Sequence, residues 1–216
     1  MRSDLAAGEP AGSLPEVRTA FTALWPQLRG RVLAARTSSP GRPVLVGVDG
    51  RSGSGKTDLT AGLEAAVRGL GLGCAVMHLD DSYPGWSGLA AALGPLCEDV
   101  VAPLRRGEAG TYTSWDWEGA RPGPRRTVPP RDVVLVEGVG VLASPCADEL
   151  DVRVWLEAPA DVRRQRALAR DGDVFAPHWE QWARQEQMLL GGAAPRDADV
   201  VANTVTGAVR WSTLGA

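Results

Sequence analysis

The sequence predicts an α/β domain built on a parallel sheet with helices on both faces. Short continuous apolar runs at 44–49, 75–79, 133–136 and 152–156 read as strands buried on both sides. Segments with helical spacing lie between or after them, at 58–70, 161–170 and 178–190. A glycine-rich turn joins the first strand to the first of these helices. Strands that alternate with helices pair in parallel, because each crossover helix packs back onto the sheet.

Residues 1–13 are small and polar, which predicts a frayed end. Val17, Phe21, Leu24, Leu28, Val32 and Leu33 then recur at helical spacing, with Pro26 among them, so a helix kinked or split at Pro26 is expected. Residues 37–43 read as a loop. Short helices are expected at 88–93 and 98–104. Residues 107–131 are rich in Gly, Pro, Arg and Trp and read as a substrate-facing loop region. In the helix at 178–190, Trp179, Trp182 and Met188 fall in part on one face. Val200 and Val201 are expected to end the sheet. These boundaries divide the chain into an N-terminal extension with a helix, 1–40, and a main domain, 41–216.

At 216 residues the chain is long enough to bury a sizeable core. A net charge of -3 and a pI near 5.5 do not favour a nucleic-acid partner. No apolar run is long enough to span a bilayer, and the N-terminus lacks a signal-peptide pattern. Cys74, Cys97 and Cys146 are far apart and odd in number, so reduced thiols in a cytoplasm are expected. A homo-oligomer is left open. Of the 23 basic side chains one is a lysine, Lys56. Arginine serves elsewhere, which singles out Lys56 as a place where a compact ammonium is needed.

That lysine lies in Gly50-Arg51-Ser52-Gly53-Ser54-Gly55-Lys56-Thr57, which fits G-x-x-x-x-G-K-[ST] between a buried strand and a helix. Glycines let successive N–H groups turn around an anion without Cβ clashes, and the helix N-terminus adds donors and a favourable dipole. Gly50, Ser52, Gly53, Ser54, Gly55, Lys56 and Thr57 are therefore the candidates for cradling ATP. Lys56 should reach the β and γ phosphates, and the Thr57 hydroxyl should ligate Mg²⁺. The strand at 133–136 runs into Glu137-Gly138, and a carboxylate there is placed to hold Mg²⁺ or its water.

On the acceptor side, Asp80-Asp81-Ser82-Tyr83 follows the second strand, at the sheet edge that faces ligands in open α/β folds. One aspartate can take the proton of an attacking hydroxyl, with the other a magnesium-water or structural partner; a simple turn is the plainer reading. Trp115-Asp116-Trp117, with Trp86, can sandwich a planar group while the acid binds hydroxyls, although core packing explains a tryptophan equally well. Arg163, Arg166 and Arg170 share a helical face, either over the phosphates or solvated beside Asp161, Asp171 and Asp173. His78 and His178 have no ligand-spaced partners and read as structural.

These residues together resemble the uridine kinase and phosphoribulokinase branch of P-loop kinases over about 44–171. The segments that match in order are 46–57, Asp80 to Tyr83, Trp115-Asp116-Trp117 leading into 132–138, and 161–171. The resemblance implies a P-loop NTPase fold with a five-stranded parallel sheet in the order 2-3-1-4-5. It implies ATP as donor, a nucleoside hydroxyl as acceptor, Asp80 as catalytic aspartate, Tyr83 near the substrate, Asp116 at a sugar-binding position, and Arg166 with its neighbours on a lid helix. The chain departs from the family at acidic Asp171-Gly172-Asp173 and in having tryptophans at 115 and 117. Reaction type therefore carries over better than substrate. A kinase for another small alcohol is the alternative, as is an NTP-binding switch with no acceptor.

Overall fold

A computed structural model describes residues 14–191 and 198–212, so the expectation for 1–13 lies outside the described residues. The elements run α1 (Pro15–Ser38), β1 (Val44–Gly50), α2 (Lys56–Gly69) and β2 (Cys74–His78). An irregular helical run follows, with a 3-10 turn at Ala90–Ala92, α3 (Leu93–Pro95), a π-turn at Leu96–Val101 and α4 (Ala102–Arg105). Then come β3 (Gly110–Asp116), β4 (Arg121–Val128), β5 (Val133–Glu137), β6 (Val152–Glu157), α5 (Ala160–Phe175), α6 (Trp179–Leu190), β7 (Val200–Asn203) and β8 (Val209–Trp211).

The main sheet has the order β2-β5-β1-β6-β7-β8. Its first five strands are parallel, and counted in chain order within this sheet they run 2-3-1-4-5, as the resemblance implies. A sixth strand, β8, adds antiparallel to β7 through Val200↔Trp211. The sheet thus extends one strand beyond Val200 and Val201. Three residues after a tight turn are too short to carry a periodic signal; Arg31 lies 5.0 Å over the Trp211 ring and helps hold the strand.

Successive strand side chains point to opposite faces, and each face has its own core. Val44, Val46 and Val48 of β1 join Val133 and Leu135 of β5 on the face covered by α1 and α2. Leu45, Val134 and Val136 join Met77, Leu104 and Trp155 on the other face. That is why these runs are continuously apolar. A Cβ on Gly47 would come within 2.5 Å of Leu150 Cδ1, so glycine there lets the segment after β5 lie against β1.

The helix α1 is not split: it runs through Pro26 without interruption. Pro26 removes one main-chain donor, but Val17, Ala20, Leu24, Leu28 and Val32 are all buried along one stripe and hold the helix to the sheet. This helix packs into the same core as β1. Residues 107–131 are not an extended loop. They form the β3–β4 antiparallel hairpin, with a register shift between Thr113 and Trp115. Two prolines and a glycine in β4 masked it, and they are tolerated because this two-stranded sheet leaves β4 at an edge.

The expectation of reduced thiols throughout is also corrected, because Cys97 and Cys146 form a disulfide across 49 residues of sequence. Packing of the π-turn segment against the loop after β5 brings them together. Cys74 is free and buried. Met188 is 79% exposed and does not share the buried face of Trp179 and Trp182. No described helix is long and apolar enough to cross a membrane.

Candidate functional site

Parallel pairing delivers β1, β2 and β5 to one sheet edge, where the register sets Val48 and His78 on either side of Glu137. The turn after β1 has positive φ at Gly50, Gly53 and Gly55. A Cβ on Gly53 would fall 2.0 Å from the Arg163 carbonyl oxygen, so no other residue fits. Gly55 is the left-handed N-cap of α2. Lys56 Nζ, buried, donates to the Gly50 carbonyl at 2.9 Å and so lies back along the loop. The Ser54 hydroxyl is buried with no hydrogen-bond partner.

Thr57 Oγ1 donates to Glu137 Oε1 at 3.3 Å, and Glu137 Oε2 is buried without a partner. A bare buried carboxylate oxygen beside a threonine hydroxyl suits a hard divalent cation. Among the described residues no group of three or more His, Cys, Asp or Glu forms a self-sufficient metal cage, so phosphate oxygens and water would have to complete the shell. His78, read as structural from the sequence, belongs here too. Its Nδ1 lies 2.6 Å from Glu137 Oε1, and that bond holds the imidazole above its ordinary pKa.

Two further carboxylates organise the loop. Asp49, wholly buried, accepts the N–H groups of Gly50 at 2.6 Å, Gly140 at 2.9 Å and Leu142 at 2.8 Å. Burial pushes its pKa up to about 6 against the pull of those bonds and of Lys56. It ties the end of β1 to the turn after β5. Glu186 of α6, 1% exposed, accepts the Ser52 N–H at 2.7 Å. Arg163 Nη1 donates to the Ser52 carbonyl at 3.2 Å and sits 3.7 Å from Glu186. The N–H and the carbonyl of Ser52, in successive peptide groups, are therefore both held. Asp49 was detectable in the sequence as a charge ending an apolar strand; Glu186 carried no local signal.

Beside the loop lies a cavity of about 380 Å³, walled by Ser52, Asp80, Tyr83, Trp86, Trp117, Arg170, Asp171, Val174, Phe175 and Trp182. Burial, and then the charge of Glu137, raises the Asp80 carboxyl pKa against Lys56, Arg170 and His78. Asp81 is exposed and turned to the hairpin, accepting the Tyr112 hydroxyl at 3.3 Å. The Tyr83 hydroxyl donates to the Val139 carbonyl at 2.8 Å, and Trp117 Nε1 to the Asp80 carbonyl at 3.2 Å.

The remaining candidates separate. Arg170 is on the cavity wall and bonds Asp171 at 2.9 and 2.7 Å. Arg163 clamps Ser52, as above. Arg166 binds the hydroxyl and carbonyl of Thr204 at 3.0 and 3.1 Å and does not line the cavity. Asp116 closes the hairpin turn, accepting from Gly119 N–H at 2.9 Å and Arg121 Nε at 3.1 Å, which hold its pKa low. Trp115 lies against Gly85. Neither Trp115 nor Asp116 is on the cavity wall. His178 stacks on Trp86 with ring centroids 4.3 Å apart and backs the aromatic side of the cavity.

No protein-family model matches the chain. A uridine kinase from Deinococcus deserti is 31% identical over 145 residues, covering 60% of this chain and 69% of the relative. Among solved structures, a possible uridine kinase from Bacillus stearothermophilus superposes with a TM-score of 0.52 at 22% identity, covering 81% of this chain and 98% of that one. D-glycerate 3-kinase from Cryptococcus neoformans superposes with a TM-score of 0.55 at 16% identity, covering 86% of this chain and 98% of that one. The structures share the fold, and the sequence match to the Deinococcus protein spans more than two thirds of its length: the chain belongs to the uridine kinase family of P-loop kinases.

Proposed function

We propose that this protein is an ATP- and magnesium-dependent kinase that phosphorylates a hydroxyl of a small molecule held in the Asp80 cavity. The observation that carries this reading is that Ser52 of the glycine loop and Asp80 wall the same cavity, so a phosphate in the loop and an alcohol beside Asp80 would meet. Thr57 and Glu137 are the residues that would hold Mg²⁺, which supplies neutralising charge at the phosphates.

The loop N–H groups that Asp49 and Glu186 do not take, together with Lys56, orient the polyphosphate, and Arg170 faces the charge that spreads during transfer. The acceptor oxygen bonds to the γ-phosphorus as the bond from that phosphorus to the β,γ-bridging oxygen breaks. Its electron pair leaves with ADP, and the hydroxyl proton passes to the Asp80 carboxylate. Burial that raises Asp80 makes it a better proton acceptor than an ordinary aspartate.

Nucleosides are the acceptors that family membership puts first. The aromatic cavity wall supports the second reading, a different small alcohol. An NTP-binding switch would need the loop but no carboxylate at the acceptor edge. The test is ADP release from ATP with and without an acceptor panel, with product masses and Lys56→Ala as control. Acceptor-dependent ADP and an added phosphate mass are expected. Slow hydrolysis indifferent to every acceptor would favour the switch.

A further inference from the structure

The two carboxylate oxygens of Glu137, a residue 2% exposed, have unequal surroundings. Oε1 receives donors from two sides, the Thr57 hydroxyl at 3.3 Å and His78 Nδ1 at 2.6 Å. Oε2 is buried and has no hydrogen-bond partner. Burying a carboxylate oxygen without a donor costs free energy that a second donor would recover. Stability alone therefore does not account for the arrangement. A cation site does, because a cation needs the lone pairs that a donor would otherwise occupy.

His78 is the part of this arrangement that strand pairing fixes. It ends β2 and is the Cα partner of Glu137 at the end of β5, so the two side chains leave neighbouring strands on the same face. A carboxylate can only accept, so Nδ1 carries the hydrogen and donates it. The Thr57 contact is longer and comes from a hydroxyl that rotates freely. The 2.6 Å bond from the planar imidazole is the short, charge-assisted kind. Turning the carboxylate about its last bond would break that stronger contact. A packing role alone does not fit His78, whose side chain is 42% exposed.

We infer that His78 is a positioning residue for the cation: it holds Glu137 Oε1 so that Oε2 stays open to Mg²⁺ or to a water of its shell. This rests on the kinase reading above, which gives Mg²⁺ to Thr57 and Glu137, and adds a residue that acts through Glu137. Groups that orient a metal-binding carboxylate contribute about 10-fold to 100-fold in metal affinity.

The experiment measures the affinity of the full chain for β,γ-methylene-ATP by tryptophan fluorescence, with excess Mg²⁺ and with EDTA. It compares the parent with His78→Ala and His78→Asn. Binding is reciprocal, so weaker Mg²⁺ binding to the nucleotide complex appears as weaker binding of the Mg²⁺-loaded nucleotide. His78→Ala should bind the Mg²⁺-loaded analogue about tenfold more weakly and the metal-free analogue as the parent does. His78→Asn, whose amide can donate from near the Nδ1 position, should keep most of the parent's affinity. Equal weakening with Mg²⁺ and with EDTA would make His78 a prop of the fold and overturn the assignment. Unchanged affinity for the Mg²⁺-loaded analogue in His78→Ala, or a loss in His78→Asn as large as in alanine, would overturn it as well. These failures leave the kinase reading intact. A parent that binds the analogue equally well with Mg²⁺ and with EDTA would instead take the cation away from Thr57 and Glu137, and this role with it.

Discussion

Glu186 accepts the backbone N–H of Ser52 at 2.7 Å, across 134 residues of sequence, and so ties the last helix of the described chain to the phosphate loop. The partner guanidinium of Arg163 is itself largely buried, with 13% of its side chain exposed. Removing the carboxylate would leave that charge and the Ser52 N–H without their anion. Glu186→Ala should destabilise the fold by about 3 kcal/mol, and Glu186→Gln, which keeps an acceptor for Ser52, by clearly less. Chemical denaturation of both variants checks the order; equal losses would mean that the hydrogen bond is immaterial.

Asp80 and Asp81 are adjacent but face different surroundings, one the cavity and the other the hairpin tyrosine. Asp80→Asn should lower kcat by about 10²-fold to 10⁴-fold, the usual contribution of a positioned general base, with little change in ATP affinity. Asp81→Asn should lose far less. Steady-state kinetics with nucleotide binding measured separately decides the matter, and the reverse ranking would shift the proton acceptor by one residue.

Asp151, just ahead of β6, receives both Nη atoms of Arg42 at 2.9 and 2.7 Å and the Leu45 N–H at 2.8 Å. Burial pushes its carboxyl up, but these bonds and the charges of Arg42 and Arg105 outweigh it and the pKa is lowered. A carboxylate depressed in the fold stabilises fully above its unfolded value of 3.8 and loses that contribution as pH falls through the folded value. Asp151→Asn should therefore cost about 1–3 kcal/mol near neutrality and flatten the acid side of the stability profile. Thermal unfolding from pH 7 downward reads both; parallel profiles for variant and parent would remove Asp151 from the account.

The Cys97–Cys146 bond joins residues 49 apart in sequence and closes a loop that contains the whole β3–β4 hairpin and β5. Constraining a loop of this size in the unfolded chain stabilises by about 2–4 kcal/mol. Reduction, or Cys146→Ser, should lower the unfolding midpoint accordingly. Unfolding with and without dithiothreitol tests this, and a midpoint unmoved by reductant would show that the bond adds no stability.

What the sequence determined by itself was local or periodic. The loop at 50–57 is contiguous, and its glycine and lysine types follow from how a backbone must bend around an anion. The strands at 44–50 and 133–137 announced themselves because burial on both faces demands unbroken apolar runs. The hairpin did not, since Pro122, Gly123 and Pro124 speak locally for a loop and only pairing with β3 makes them a strand. Tertiary structure alone decided which distant groups meet. Arg163, Arg166 and Arg170 lie on one helix, yet one clamps Ser52, one binds Thr204 and one walls the cavity. Helical spacing sets a side chain's direction, but its partner comes from whichever element packs there. The contacts of Glu186 with Ser52, His78 with Glu137 and Cys97 with Cys146 likewise join residues whose separations, 134, 59 and 49, exceed any sequence period. They exist because the sheet order and the packing of its two faces place their elements side by side.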